Sequence, residues 1–137
     1  MYYISNSELH MTEHAHHEEL VSSVGESFAP ILGASNQAIY IYLDDTHKVC
    51  NEKFSELLGY STPAEWAAIT SPFPETFVSE ESRGALVTAY RGAMENHVGS
   101  STQVTWRTKN GATITTSVIL VPIVHEGHLF ALHFVSA

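Results

Sequence analysis

The 137 residues suffice for one buried core, and 44% hydrophobic with 15% charged residues is a globular balance that excludes a disordered or fibrous chain. Fifteen acidic residues against six Lys plus Arg give −9, which excludes the basic footprint needed to dock on nucleic acid or anionic lipid. No apolar run approaches the roughly 20 residues that cross a bilayer, the first residues lack a basic-then-apolar signal, and a single cysteine, Cys50, excludes an internal disulfide, so a cytoplasmic chain is expected.

Residues 5–33 read as a helix, opened by Ser5 three residues before Glu8 in the form of a capping box. Leu20, Val24, Phe28 and Ile31 recur at four, four and three, so they share one face of an amphipathic helix. Gly25 weakens this helix, and Pro30 is expected to kink or end it. From Gln37 the period becomes strand-like. Residues 38–43 are β-branched and aromatic, Asp44 and Asp45 supply a turn, and a short second strand runs to about Cys50. Asn51 then opens a helix with Phe54, Leu57 and Leu58 facing inward and Gly59 at its end. Thr62, Pro63 and Glu65 form a sharper helix start, and a Pro-interrupted stretch, 71–74, follows. A helix over about 79–97 presents Leu86, Tyr90, Ala93 and Met94 on its apolar face. Three strands close the chain over 102–108, 113–124 and 129–135, with Asn110-Gly111 as a strong hairpin signal and Glu126-Gly127 as the second turn.

The later strands are apolar on both faces. Val118 and Leu120 point one way, Ile119, Val121 and Ile123 the other; Phe130, Leu132 and Phe134 oppose Leu129, Ala131 and Val135. An antiparallel sheet with one wet face alternates apolar and polar residues instead. Something therefore covers the second face, either the amphipathic N-terminal segment or a second subunit.

The segment from Asn51 to Gly59-Tyr60, followed by Thr62-Pro63-Ala64-Glu65, resembles the centre of PAS domains, and Lys109-Asn110-Gly111 resembles their basic-x-Gly hairpin. The resemblance covers residues 35–137, a core domain, and leaves 1–34 as an N-terminal helical segment that caps or dimerises it. It implies an α+β fold: a five-stranded antiparallel sheet with short helices on one face and an N-terminal amphipathic helix. It also implies a hollow between helices and sheet, and a sensor that dimerises through that helix and the outer sheet face.

Candidate chemistry is sparse. His10, His14 and His17 are stacked by helical spacing and could grip a metal, but a solvated polar face is the simpler reading, and no metal is expected. Haem-binding PAS domains carry a histidine on the long helix, which here has none before His97, although a strand histidine such as His133 could substitute. Photoactive flavin domains need a reactive cysteine segment that this chain lacks, and Cys50 reads as a packed thiol. No cofactor is expected, and the protein should be colourless. Trp66, Phe73, Phe77, Leu86, Tyr90, Met94, Val104, Trp106, Val118 and Leu120 are either walls of a small-ligand pocket or ordinary core, with an opening expected near Tyr90, Met94 and Trp106. Asn51 reads as a helix cap rather than a ligand contact.

No nucleophile elbow, His-Glu-x-x-His or phosphate loop occurs, so a catalytic role is not expected. The reading is a non-catalytic sensor or interaction module that takes a small ligand or a partner protein. It would act through dimer or helix repacking, as a homodimer built on Leu20, Val24, Phe28 and Ile31, or on a signalling partner in trans such as a histidine kinase or regulator. The alternative is a small cone-shaped enzyme or ligand-binding protein resembling ketosteroid isomerase (NTF2-like), which would need an acid or base inside its cavity.

Overall fold

The computed structural model describes residues 6–136, with side chains from residue 15 onward. The expected cap of Ser5 and Glu8, and the side chains of His10 and His14, lie outside the described residues. Ten elements follow in order: α1 (Asn6–Ala34), β1 (Ala38–Asp44), β2 (His47–Cys50), α2 (Glu52–Leu57), α3 (Pro63–Ala67), α4 (Phe73–Phe77), α5 (Glu80–Asn96), β3 (Ser100–Arg107), β4 (Thr113–His125) and β5 (His128–Ser136). The strands form one antiparallel sheet in the order β2-β1-β5-β4-β3, which places the first and last strands together at its centre.

Two local expectations are corrected. Pro30 does not end α1, the second of the two outcomes expected for it, because the helix runs on to Ala34. The stretch with Pro72 and Pro74 holds the short helix α4, because Pro74 occupies one of the first helical positions, where its missing N–H is no loss. The caps follow their residue types. Asn51 Oδ1 accepts from the Phe54 amide at 3.0 Å and Thr62 Oγ1 from the Glu65 amide at 3.0 Å. Gly59 and Gly111 hold φ of 85° and 88°, where a Cβ would be strained, and let the chain turn. The end of α5 is less usual, with His97 itself in the left-handed region at φ 55°.

The two faces of the sheet carry two cores. Inside, under the short helices, Tyr40, Phe54, Trp66, Phe73, Phe77, Val104, Trp106 and Val118 are all buried. Outside, α1 covers Ile39, Ile41, Phe130 and Leu132 with Leu20, Val21 and Val24. The strands are two-sided because α1 of the same chain is the second layer. Leu20 and Val24, expected at an interface between copies, are consumed inside the chain, and Phe28 packs against the same cluster; Ile31 stays 51% exposed.

Candidate functional site

Asn51 does more than cap. While Oδ1 accepts from Phe54, it also accepts from the Ile39 amide at 3.0 Å, and Nδ2 donates to the Gln37 carbonyl at 2.8 Å. One side chain thus ties the start of α2 to the start of β1 and fixes the floor of the inner compartment. Gly59 and Tyr60 close α2 beside the hairpin of Gly111, where the Lys109 amide donates to the Leu58 carbonyl at 2.8 Å. Asn51, Gly59 and Gly111 thus serve the backbone geometry of the helix start and the turns.

The inner compartment is filled by rings. Tyr40 stands at its centre, stacked on His133 with 3.9 Å between centroids, 4.6 Å from Phe54 and 5.5 Å from Phe73. Trp106 is pinned by its indole N–H, which donates to Thr116 Oγ1 at 2.9 Å. What remains open is a cavity of ≈ 60 Å³ beside α5, lined by Tyr40, Tyr42, Phe73, Leu86, Tyr90 and His133 among others. Of the expected pocket residues, Phe73, Leu86 and Tyr90 reach it. Trp66, Phe77, Val104, Trp106 and Val118 form the solid aromatic core beside it, and Met94 packs one turn away with Ala93, Leu120 and Ala131. The opening lies against β1 and β5 rather than at Met94 and Trp106. The cavity is far below the roughly 300–1,000 Å³ of pockets for drug-sized ligands.

Two polar atoms inside are notable. The Tyr40 hydroxyl and the Trp66 indole N–H are buried and have no hydrogen-bond partner among the described residues. Leaving a hydroxyl so desolvated costs about 1–3 kcal/mol. The other polar wall groups are engaged: Tyr42 donates to Asp45 Oδ1 at 2.8 Å, the same oxygen that accepts from the Phe73 amide at 3.0 Å. Burial pushes the imidazole of His133 down to about 3 and holds both Tyr40 and Tyr42 hydroxyls protonated. The Cys50 thiol is pushed up to about 12 by burial, so it is not a nucleophile at neutral pH.

Sequence reasoning missed Tyr40, Tyr42 and His133 as cavity walls, and it missed Lys48. That ammonium, lowered to about 8 by burial, donates to the carbonyls of Asp45, Ala67 and Ile69 and lies 5.1 Å from the Trp66 ring, which fastens α3 to β2. On the other face, His17, the member of the expected histidine set whose side chain is described, has its Nδ1 3.0 Å from Asp44 Oδ2, across to the β1–β2 turn. Asp44 is also partly buried, which raises its pKa, but contacts from His47, Thr46 and His17 outweigh that and hold the carboxyl below its usual range.

No family model matches the chain, and no curated protein matches it. Solved structures do. A PAS domain from Colwellia psychrerythraea shares 19% identity over 82% of this chain and 94% of its own, with a TM-score of 0.62. A PAS domain from a two-component sensor histidine kinase shares 12% identity over 83% and 96%, at 0.60. The Drosophila melanogaster Cycle PAS-B domain, solved with bound ethylene glycol, shares 13% over 72% and 97%, at 0.59. These likenesses establish the fold, which sets aside the cone-shaped alternative as an architecture.

Proposed function

We propose that this PAS-fold chain is a non-catalytic sensor module in which a very small, weakly polar ligand occupies the cavity at Tyr40 and α1 carries the response. The observation that carries the reading is the buried Tyr40 hydroxyl, unpartnered among the described residues, on a residue that lines a half-open cavity of ≈ 60 Å³. A water needs roughly 10–15 Å³ of such cavity volume, so the space suits a few waters or a molecule as small as ethylene glycol, the compound bound by the Drosophila neighbour. A catalytic role is unsupported: among the described residues no carboxylate lines the cavity, and the His133 imidazole there is held neutral by burial.

The route outward is the pleat of β1. Tyr40 faces the cavity, while its neighbours Ile39 and Ile41 face α1. A ligand that shifts Tyr40 therefore moves the strand on which α1 rests. The recipient is a second copy of the chain or a signalling protein such as a histidine kinase. Ile119 on the outer face of β4 and Ile31 near the end of α1 stay about half exposed, at 48% and 51%, and supply the apolar contact for it.

Tyr40→Phe tests the cavity reading. Without additive, loss of an unpartnered hydroxyl should leave stability unchanged or raise it by up to about 1 kcal/mol. Ethylene glycol should raise the melting temperature of the parent protein more than that of the variant. A variant destabilised by about 1–3 kcal/mol without additive, or an equal response of both proteins to ethylene glycol, would contradict it.

A further inference from the structure

Where α1 crosses the β1–β2 turn, three side chains from different elements converge. His17 comes from the helix, Asp44 ends β1 and His47 starts β2, and one ligand atom of each lies within 4.8 Å of the others. Asp44 Oδ2 is 3.0 Å from His17 Nδ1, and Asp44 Oδ1 is 2.6 Å from His47 Nδ1. The two imidazoles meet edge to face, with centroids 5.4 Å apart. From these positions we infer that His17, Asp44 and His47 form a binding site for a divalent transition-metal ion of the zinc class, which clips α1 to the sheet.

The donor set selects the metal. Two imidazole nitrogens and one carboxylate oxygen suit zinc, cobalt or nickel, whereas calcium and magnesium need a shell of oxygens. Bonds of about 2.0–2.2 Å put tetrahedral ligand atoms about 3.3–3.6 Å apart. The Asp44 contacts already lie near this spacing, and the widest pair must close by roughly 1 Å on that geometry.

The surroundings orient the ligands as an outer shell does. The Thr46 amide and hydroxyl donate to Asp44 Oδ1 at 3.0 and 2.9 Å, which fixes the carboxylate plane. His47 Nε2 lies 3.3 Å from Glu18 Oε1, so that a ring bound through Nδ1 would be backed by a carboxylate on its far nitrogen, the usual outer partner of a metal-bound imidazole. His47 is 3% exposed while His17 is 33%, so the site has one deep anchor and one open side for ion entry and for a water in the fourth position. His17 is the movable ligand, because it belongs to α1 while the other two share a hairpin.

The test uses the full chain, stripped with chelator, dialysed and titrated with Co²⁺, followed by competition with Zn²⁺. One Co²⁺ per chain with the visible absorption of a tetrahedral N/O site is expected, displaced by Zn²⁺. His17→Ala, on an accessible helix position, and Asp44→Asn should each weaken binding at least about 10-fold, while His10→Ala/His14→Ala should leave it unchanged. Circular dichroism of His17→Ala checks that the variant is folded, so its result stands even if Asp44→Asn is unstable. Absence of stoichiometric binding, equal affinity in His17→Ala and the parent, or loss in the His10/His14 variant instead would each overturn the site.

Discussion

Val24→Asp is expected to strip α1 from the sheet. Val24 is fully buried between α1 and the outer face, among the apolar side chains of Ile39, Ile41, Phe130 and Leu132. An uncompensated charge there costs about 3–5 kcal/mol. The helix should leave rather than the aromatic core melt, because the inner cluster shares no residue with the outer one. Hydrogen exchange should therefore speed up along residues 16–34 while β3 and β4 stay protected, and the bared face of β1 and β5 should promote association. Leu20→Ala, at a site 2% exposed, gives the graded counterpart with a loss of about 2–5 kcal/mol in urea unfolding. A Val24→Asp protein with parental stability and a protected helix would show that α1 rests elsewhere.

Acid should weaken the fold through His133. Its ring is 3% exposed, stacked on Tyr40, and held by burial to about 3, with the hydrogen bond from Nδ1 to the Ala131 carbonyl at 3.0 Å opposing that shift. In the unfolded chain the same group titrates near 6.5. Between about 3 and 6.5 the unfolded state therefore holds the extra proton, so the neutral ring's contribution is complete above about 6.5 and drains away as the pH falls towards 3. The slope approaches about 1.4 kcal/mol per pH unit. His133→Phe keeps a ring on Tyr40 and removes the titration. Urea unfolding at pH 6.5 and 5.0 should show the parent losing about 2 kcal/mol more than the variant. Identical losses would mean that His133 gains its proton without leaving the core.

The sequence carried the architecture through local signals with local causes. Asn51 and Thr62 precede their helices at capping spacing, Gly59 and Gly111 mark positive φ, and the two-sided strands demanded a second layer. What covered the second face was not legible, since the stripe of Leu20 and Val24 fits an own sheet and a partner equally well. The cavity was misplaced towards Met94 and Trp106 for a related reason. Helical spacing put Leu86, Tyr90 and Met94 on one stripe, but only the strand order β2-β1-β5-β4-β3 puts Tyr40 and His133 opposite its first half. The histidines show the same limit. Spacing ties His17 to His10 and His14 on its own helix, whereas Asp44 and His47 lie at least 27 residues further on and meet it only through the fold.

That a molecule at Tyr40 is read out by α1 is most directly tested by methyl NMR of the Ile, Leu and Val side chains during titration with ethylene glycol. Leu86 and Val87 line the cavity, and Ile39, Ile41, Leu20 and Val24 lie across the strand from it. Both groups of methyls should shift along one saturation curve, and Tyr40→Phe should abolish both responses. Shifts confined to Leu86 and Val87, or to exposed methyls such as Val98, would contradict the coupling of cavity to helix.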